Sequence, residues 1–395
     1  MIICPQEECT GCAACLNVCG QHAISMAEGV NGHLFPHIDG DKCVNCRLCT
    51  TVCPNNNQPD YHTPLASYVA TARDSSEALT STSAGIASVL ARYIITSGGV
   101  VYGSCGLDCQ HVHHIRISSL DDIYKLKGSK YVESAIEDTY SLVKDDLAKG
   151  SKVLFIGTPC QVAGLYGFLR KKYDNLYTVD LICHGVPSQK ILTDALHDYL
   201  PKADLSQVKV AFRKKEKGKS LYGLFVIDKN DKLLYRSTFP NNDYIVGFLY
   251  GLYYRESCYL CHYTRPERVS DLTIGDYWDR EKKITLQNAP NGLSMVIVNT
   301  QKGSALLEDC SSLLDKTVGD YQDFINRNGQ LHHPIKKNSC YDSFAFEYPS
   351  NGFLKTAKDN LKFEKRRLKR ELLRAKVVGY IQSNKVLNTI LNKKI

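Results

Sequence analysis

The run Cys9-x-x-Cys12-x-x-Cys15-x-x-x-Cys19 recurs as Cys43-x-x-Cys46-x-x-Cys49-x-x-x-Cys53, the second copy ending in Pro54. Three thiolates at intervals of three residues can wrap three corners of an iron–sulfur cubane, and the fourth cysteine of each run is placed to reach the other cluster. The spacing predicts two [4Fe–4S] clusters, one on Cys9, Cys12, Cys15 and Cys53, the other on Cys43, Cys46, Cys49 and Cys19. Zinc knuckles are the alternative for a C-x-x-C spacing. Eight cysteines in two three-step runs with a terminal Cys-Pro favour iron and sulfide. The chain has 17 cysteines, and an odd count cannot pair completely as disulfides. No cationic start leads into an apolar run, so a cytoplasmic protein is expected, in which metal explains the thiols better than cystine.

The length of 395 residues favours two or three domains, and 43% hydrophobic with 23% charged residues excludes a mainly disordered or fibrous chain. No apolar stretch approaches the roughly 20 residues of a membrane span. The net charge of +8 is unevenly placed. Residues 350–395 carry 13 Lys and Arg against 3 Asp and Glu, which leaves the rest of the chain at 36 against 38. A spread basic surface for nucleic acid is therefore absent. The first 62 residues read as a small acidic module, and the polar, proline-punctuated stretch 55–64 reads as a linker.

Beyond it, helix-like and strand-like segments alternate. A helix is expected over 84–96, strands at 100–102, 153–156 and 177–182, and helices over 139–147 and 161–172. Residues 153–182 thus form a strand–helix–strand unit with a parallel crossover. Pro187 is expected to open a helix running to Leu200. Short strands follow over 208–239 around the charged turn KKEKGK, whose penultimate residue is Gly218.

A second group of cysteines is dispersed. Cys160 follows one strand of that unit and Cys183 the other, so both emerge at the carboxyl edge of one sheet, where α/β proteins place ligands. Cys160 also stands at a helix N-terminus, which favours a thiolate or an anionic cluster. Cys258-x-x-Cys261 would complete a set of four for a third cluster. A zinc site, or a dithiol beside two buried thiols, is equally compatible with this spacing. Cys4, Cys105, Cys109, Cys310 and Cys340 read as ordinary thiols. His22, His33, His37, His111, His113 and His114 are expected to have surface or packing roles.

Neither a G-x-G-x-x-G nor a G-x-x-x-x-G-K-[ST] motif occurs. The candidate cofactor loop is Lys127-Gly128-Ser129-Lys130-Tyr131-Val132-Glu133-Ser134, whose hydroxyls, glycine and lysine could cradle a phosphate or a flavin edge. A solvated turn is the simpler alternative. His184 and Asp276 are acid–base candidates, set against a hydrogen bond at the strand end for His184 and a cap for Asp276.

Several stretches carry a family resemblance: TSTSAGIASVLA (80–91), KGSKYVES (127–134), VLFIGTPCQVAGL (153–165), VDLICHGVPS (179–188), RESCYLCHYTRPERVSDLTIGDYW (255–278) and NGLSMVIVNT (291–300). Together they resemble the coenzyme F420 hydrogenase/dehydrogenase β-subunit family, and the module in front resembles bacterial two-cluster ferredoxins. The resemblance implies a flavoprotein with FAD against the SKY loop, contacted by Ser129, Lys130, Tyr131 and Ser134 and by Ser83 and Gly85. It also implies a third [4Fe–4S] cluster on Cys160, Cys183, Cys258 and Cys261.

The fold expected is therefore α/β, a small ferredoxin-like [4Fe–4S] domain (1–62) followed by a flavin- and cluster-binding body (63–150 and 151–348) and a basic helical tail (349–395). The function expected is an oxidoreductase passing electrons between a ferredoxin-like carrier or redox partner subunit, the clusters, FAD and a small organic substrate. A non-catalytic electron-transfer subunit and a scaffold recruited to a membrane complex are the alternatives. In the tail, basic clusters alternate at near-helical period with Leu368, Leu372, Leu373, Val377, Val378 and Ile381, then with Val386, Leu387, Ile390 and Leu391. This pattern suits either a helix packed on the body by one face or an interfacial helix in peripheral contact with the inner membrane face.

Overall fold

The computed structural model describes residues 2–106, 110–216, 219–279 and 283–383. Cys109, Gly218, Val386, Leu387, Ile390 and Leu391 lie outside the described residues.

Strands β1 (Ile24–Glu28) and β2 (Leu34–Ile38) pair antiparallel between the two cysteine runs. The runs fold alike. Gly11 and Asn45 take φ of 67° and 54°, Ala13 and Arg47 take 58° and 60°, and a short helix carries the third cysteine of each run, Ala14–Val18 and Leu48–Thr51. Left-handed residues on either side of a cysteine turn successive N–H groups towards one concavity, which suits an anionic ligand.

The body contributes β3 (Ala66–Ala72), β4 (Val100–Cys105), β5 (His113–Ile117), β6 (Val153–Gly157), β7 (Leu176–Leu181), β8 (Val208–Glu216), β9 (Lys219–Asp228), β10 (Leu233–Thr238), β11 (Leu272–Tyr277), β12 (Leu293–Val298) and β13 (Leu314–Val318). Eight of these form a mixed sheet in the order β13-β3-β12-β11-β7-β6-β4-β5, and β8 to β10 form a separate antiparallel sheet. The pairs β4–β6, β6–β7 and β7–β11 are parallel. The larger sheet runs across position 150, with β3 seated between β12 and β13.

The strand–helix–strand unit is present as β6, the helix Pro159–Leu169 and β7. Thr158 and Gln161 close a capping box at the start of this helix, fixing Cys160 in its first turn. The helix expected to open at Pro187 begins at Gln189 instead, because Ser188 is its cap and accepts the amide of Ile191. Residues 55–57 do not behave as a linker. The side-chain amides of Asn55, Asn56 and Asn57 donate to the carbonyls of Glu8, Ile3 and Thr51, tying the ends of the small module together.

The small module shares a core with the body: Cys12, Ala13, Ala14 and Val52 are buried with Tyr140, Phe155, Val162 and Tyr263. In the tail helix Lys362–Ser383, Leu368 is buried and Lys365 pairs with Asp243 at 2.7 Å, so its first turns pack on the body by one face. Among the described residues no helix is long and apolar enough to cross a membrane.

Candidate functional site

The structure brings the twelve cysteines into three groups. Cys9, Cys12, Cys15 and Cys53 are all buried, and the charges of Cys9 and Cys53 both act on Cys12 and on Cys15. Cys19, Cys43, Cys46 and Cys49 line one cavity, walled also by Ile24 and Ile38 of the two strands. Cys160, Cys183, Cys258 and Cys261 gather at the end of β6 and β7, where the charges of the other three all act on Cys258. Burial pushes the Cys160 thiol up to about 12 and Cys183 to about 11. Such thiols stay protonated until a metal displaces the proton. Among the described residues no three His, Cys, Asp or Glu surround a single-ion position.

Cys4 departs from its expected role as an ordinary thiol. It lies against Cys9 and Cys53 and also meets the Asn55 amide at 3.9 Å. Its hydrogen bond lowers the thiol pKa of Cys9, against burial and with help from Arg255, and that of Cys53. The contacts with Cys53 and Cys9 push the Cys4 thiol well up, and its single S–H can serve one of the two at a time.

Two glycines seat the small module on the helix that carries Cys160. A Cβ at Gly164 would stand 2.8 Å from the Cys12 Cβ and 2.9 Å from its Sγ, and one at Gly167 would strike the Val52 carbonyl. The first cysteine set therefore lies one helical turn from Cys160. Buried Tyr140 and Tyr263 pack in the same core, Tyr140 donating to the Gln161 carbonyl at 2.7 Å. On the far side Arg268, buried, reaches Asp180 at 2.8 Å and the Tyr263 carbonyl at 2.8 Å, pinning the Cys261 loop to β7. Its charge favours the thiolates of Cys183 and Cys261.

The SKY loop borders a cavity against β8 that is lined by Lys125, Lys127, Ser129, Lys130, Lys209 and Arg213. The Ser129 amide donates to Thr82 at 2.8 Å, which brings the segment of Ser83 and Gly85 beside it. The other candidates are engaged within the protein. Ser83 donates to the Leu293 carbonyl at 2.8 Å, Gly85 precedes the helix Ile86–Thr96 with φ of 86°, and Ser134 meets His114 at 2.9 Å. The Lys130 ammonium donates to the carbonyls of Ser104 and Leu126 at 2.8 Å and Lys127 at 3.0 Å, while burial lowers its pKa to about 8. Tyr131 stacks on Phe248 with centroids 4.3 Å apart.

Asp276 is not a cap. It lies in β11 and accepts from Arg213 at 2.5 Å. The Arg213 guanidinium stands over Tyr222 at 4.7 Å and Trp278 at 5.5 Å, and its buried Nε has no partner among the described residues. Val112, Leu192, Val210 and Phe212 line the same cavity, so apolar walls beside Lys209 and Arg213 fit an aromatic ligand that carries negative charge, such as a flavin nucleotide. His184 is buried near Phe248, with its pKa lowered by burial.

Residues 8–57 match the family model of a 4Fe-4S dicluster domain, and residues 150–318 match the model for the C terminus of the coenzyme F420 hydrogenase/dehydrogenase beta subunit. No curated protein matches the chain. A chain in a solved structure, described as the xenon derivatization of the F420-reducing [NiFe] hydrogenase complex from Methanosarcina barkeri, is 19% identical, with a TM-score of 0.48 over 68% of this chain and 88% of its own. The chain therefore joins a 4Fe-4S dicluster domain, over residues 8–57, to a domain of the kind found at the C terminus of the coenzyme F420 hydrogenase/dehydrogenase beta subunit, over residues 150–318.

Proposed function

We propose that this protein is an iron–sulfur flavoprotein oxidoreductase that carries electrons between a ferredoxin-like carrier or partner subunit and a small organic substrate. Two [4Fe–4S] clusters would be held by the dicluster domain and a third by Cys160, Cys183, Cys258 and Cys261, with FAD in the basic cavity beside Ser129. When bound, the clusters supply one-electron transfers and the flavin exchanges them for a two-electron step. The observation that carries this reading is the seating of Cys12 against Gly164, one turn from Cys160. It brings Cys12 of the first set and Cys160 and Cys261 of the third to one core, while the second set keeps Cys46 exposed. The order that follows is second set, first set, third set, flavin.

The residues around this route have assignable tasks. Gly164 and Gly167 permit close approach, Tyr140 and Tyr263 fill the space between the sets and exclude water, and Arg268 orients the Cys261 loop. Arg213, steered by Asp276, adds a cation to the wall of the cavity beside Ser129. Anaerobic purification tests the reading. About 12 iron atoms per chain, with matching sulfide and extractable FAD, are expected. Zinc in place of iron, or iron without flavin, would overturn it. Reoxidation of the reduced flavin by a substrate, with the isolated chain, would separate an enzyme from an electron-transfer subunit.

A further inference from the structure

Arg255 is 1% exposed and stands three residues before Cys258. Its amide donates to the Val186 carbonyl at 3.1 Å, within the loop that follows Cys183. Its guanidinium then crosses into the small module. Nη1 reaches the Cys9 carbonyl at 3.5 Å and Nη2 the Leu34 carbonyl at 3.0 Å, while the plane lies 4.9 Å over the Phe35 ring. Nη2 also meets both carboxylate oxygens of Glu133, at 2.7 and 2.8 Å. Glu133 belongs to the SKY loop, two residues after Tyr131, and its own amide donates to the Pro187 carbonyl at 2.8 Å.

The first cysteine loop is built around this pair. Gly11, at φ of 67°, lies so close that a Cβ would stand 2.6 Å from Glu133 Oε1 and 2.7 Å from Arg255 Nη2. Ser257 adds a second clamp, donating to the same Cys9 carbonyl at 3.0 Å. Buried His33 closes the far side of Glu133 at 3.2 Å. Burial opposes ionisation of Glu133, but the Arg255 charge and the His33 hydrogen bond outweigh it and hold the carboxyl below its usual range. A single buried ion pair thus joins the Cys9 loop, the Cys183 and Cys258 loops and the SKY loop. Arg255 Nε is buried and has no partner among the described residues, although burying a guanidinium donor unpaired is costly.

Resting on the cluster assignment proposed above, we propose that Arg255 is a positioning residue whose buried charge, between the Cys9 loop and the Cys183 and Cys258 loops, sets the potentials of the first and third clusters together, with Glu133 as the opposing anion. A cluster gains negative charge on reduction, so a nearby buried cation favours the reduced form and a nearby anion disfavours it. Among the described residues no side chain of the second set meets Arg255 or Glu133, so its cluster is expected to stay unmoved.

The test is a redox titration of the full-length, cluster-loaded protein followed by electron paramagnetic resonance, for the wild type, Arg255→Met, Arg255→Lys and Glu133→Gln. In Arg255→Met the first and third clusters should show at least a tenfold lower ratio of reduced to oxidised form at fixed potential, about 59 mV for one electron. The second cluster should be unmoved and Arg255→Lys should recover most of the shift. Glu133→Gln should move the same two clusters the opposite way. Loosened packing would move both variants in one direction, so opposite signs mark the charge effect. Unchanged potentials in iron-replete variants, equal shifts in all three clusters, or shifts of one sign would overturn the inference. If Arg255→Met fails to load, Glu133→Gln decides alone, since a rise confined to two clusters supports the inference and no rise overturns it. Absence of iron from the wild type would instead refute the cluster assignment itself.

Discussion

At the scale of single residues, burial and hydrogen bonding decide which groups are available for chemistry. His114 shows the rule. Its Nδ1 faces Ser134 at 2.9 Å and its Nε2 the Ile156 carbonyl at 3.1 Å, and burial pulls its pKa down to about 4. A base that is harder to protonate when folded contributes stability fully above its unfolded value near 6.5. The contribution is lost as pH falls through 6.5 towards 4, because the unfolded chain then binds the proton more readily. The loss is on the order of 3 kcal/mol. His114→Gln should therefore flatten the fall in Tm between pH 6.5 and 4.5, and an unchanged slope would show that other groups control acid stability. Sequence spacing cannot single out this histidine, since nothing local distinguishes it from His111 and His113 beside it. Arg255 and Glu133 are illegible for the same reason: they stand 122 residues apart and share no pattern. Cys4 looks ordinary in the sequence because its neighbours Cys9 and Cys53 come close only after the module closes on itself.

At the scale of elements, the sequence is most informative where chemistry and periodicity coincide. The two cysteine runs have the same spacing and take the same left-handed turns, and the β-branched runs around 153–182 pair in parallel as their alternation with a helix requires. What periodicity conceals is the face on which the helix Pro159–Leu169 meets the small module. Glycines in a helix read as weak points until the approaching backbone is seen. Gly167→Ala would drive a methyl group into the Val52 carbonyl, a clash costing about 1–3 kcal/mol if the elements move apart. Hydrogen exchange should then quicken over residues 8–57 while β6 and β7 stay protected. Equal protection in variant and wild type would mean that the module does not rely on this seat. The stretch 55–57 reads as a linker because asparagine serves equally in a free linker and as a cap for open carbonyls, and composition cannot separate the two.

At the scale of the whole molecule, the three cysteine sets differ in their access to solvent. The first is buried, the third half-buried, and the second ends in exposed Cys46 next to Val44, which is 63% exposed. With the three sets loaded as proposed, mild oxidation should remove about four of about 12 iron atoms first, with alkylation of Cys43 and Cys46 detected by mass spectrometry before that of Cys160 or Cys183. Earlier loss from the third set would contradict this order.

The clamp on Cys9 also has a consequence in time. The Cys9 carbonyl and its Arg255 partner are separated by 246 residues, and β3 cannot take its place in the sheet until β12 and β13 exist. At roughly 5–20 residues per second, the dicluster module leaves the ribosome some 12 to 50 seconds before the surface that covers it. Its cysteines are thus open to cluster delivery during this interval, and delivery that misses it must work against a closed interface.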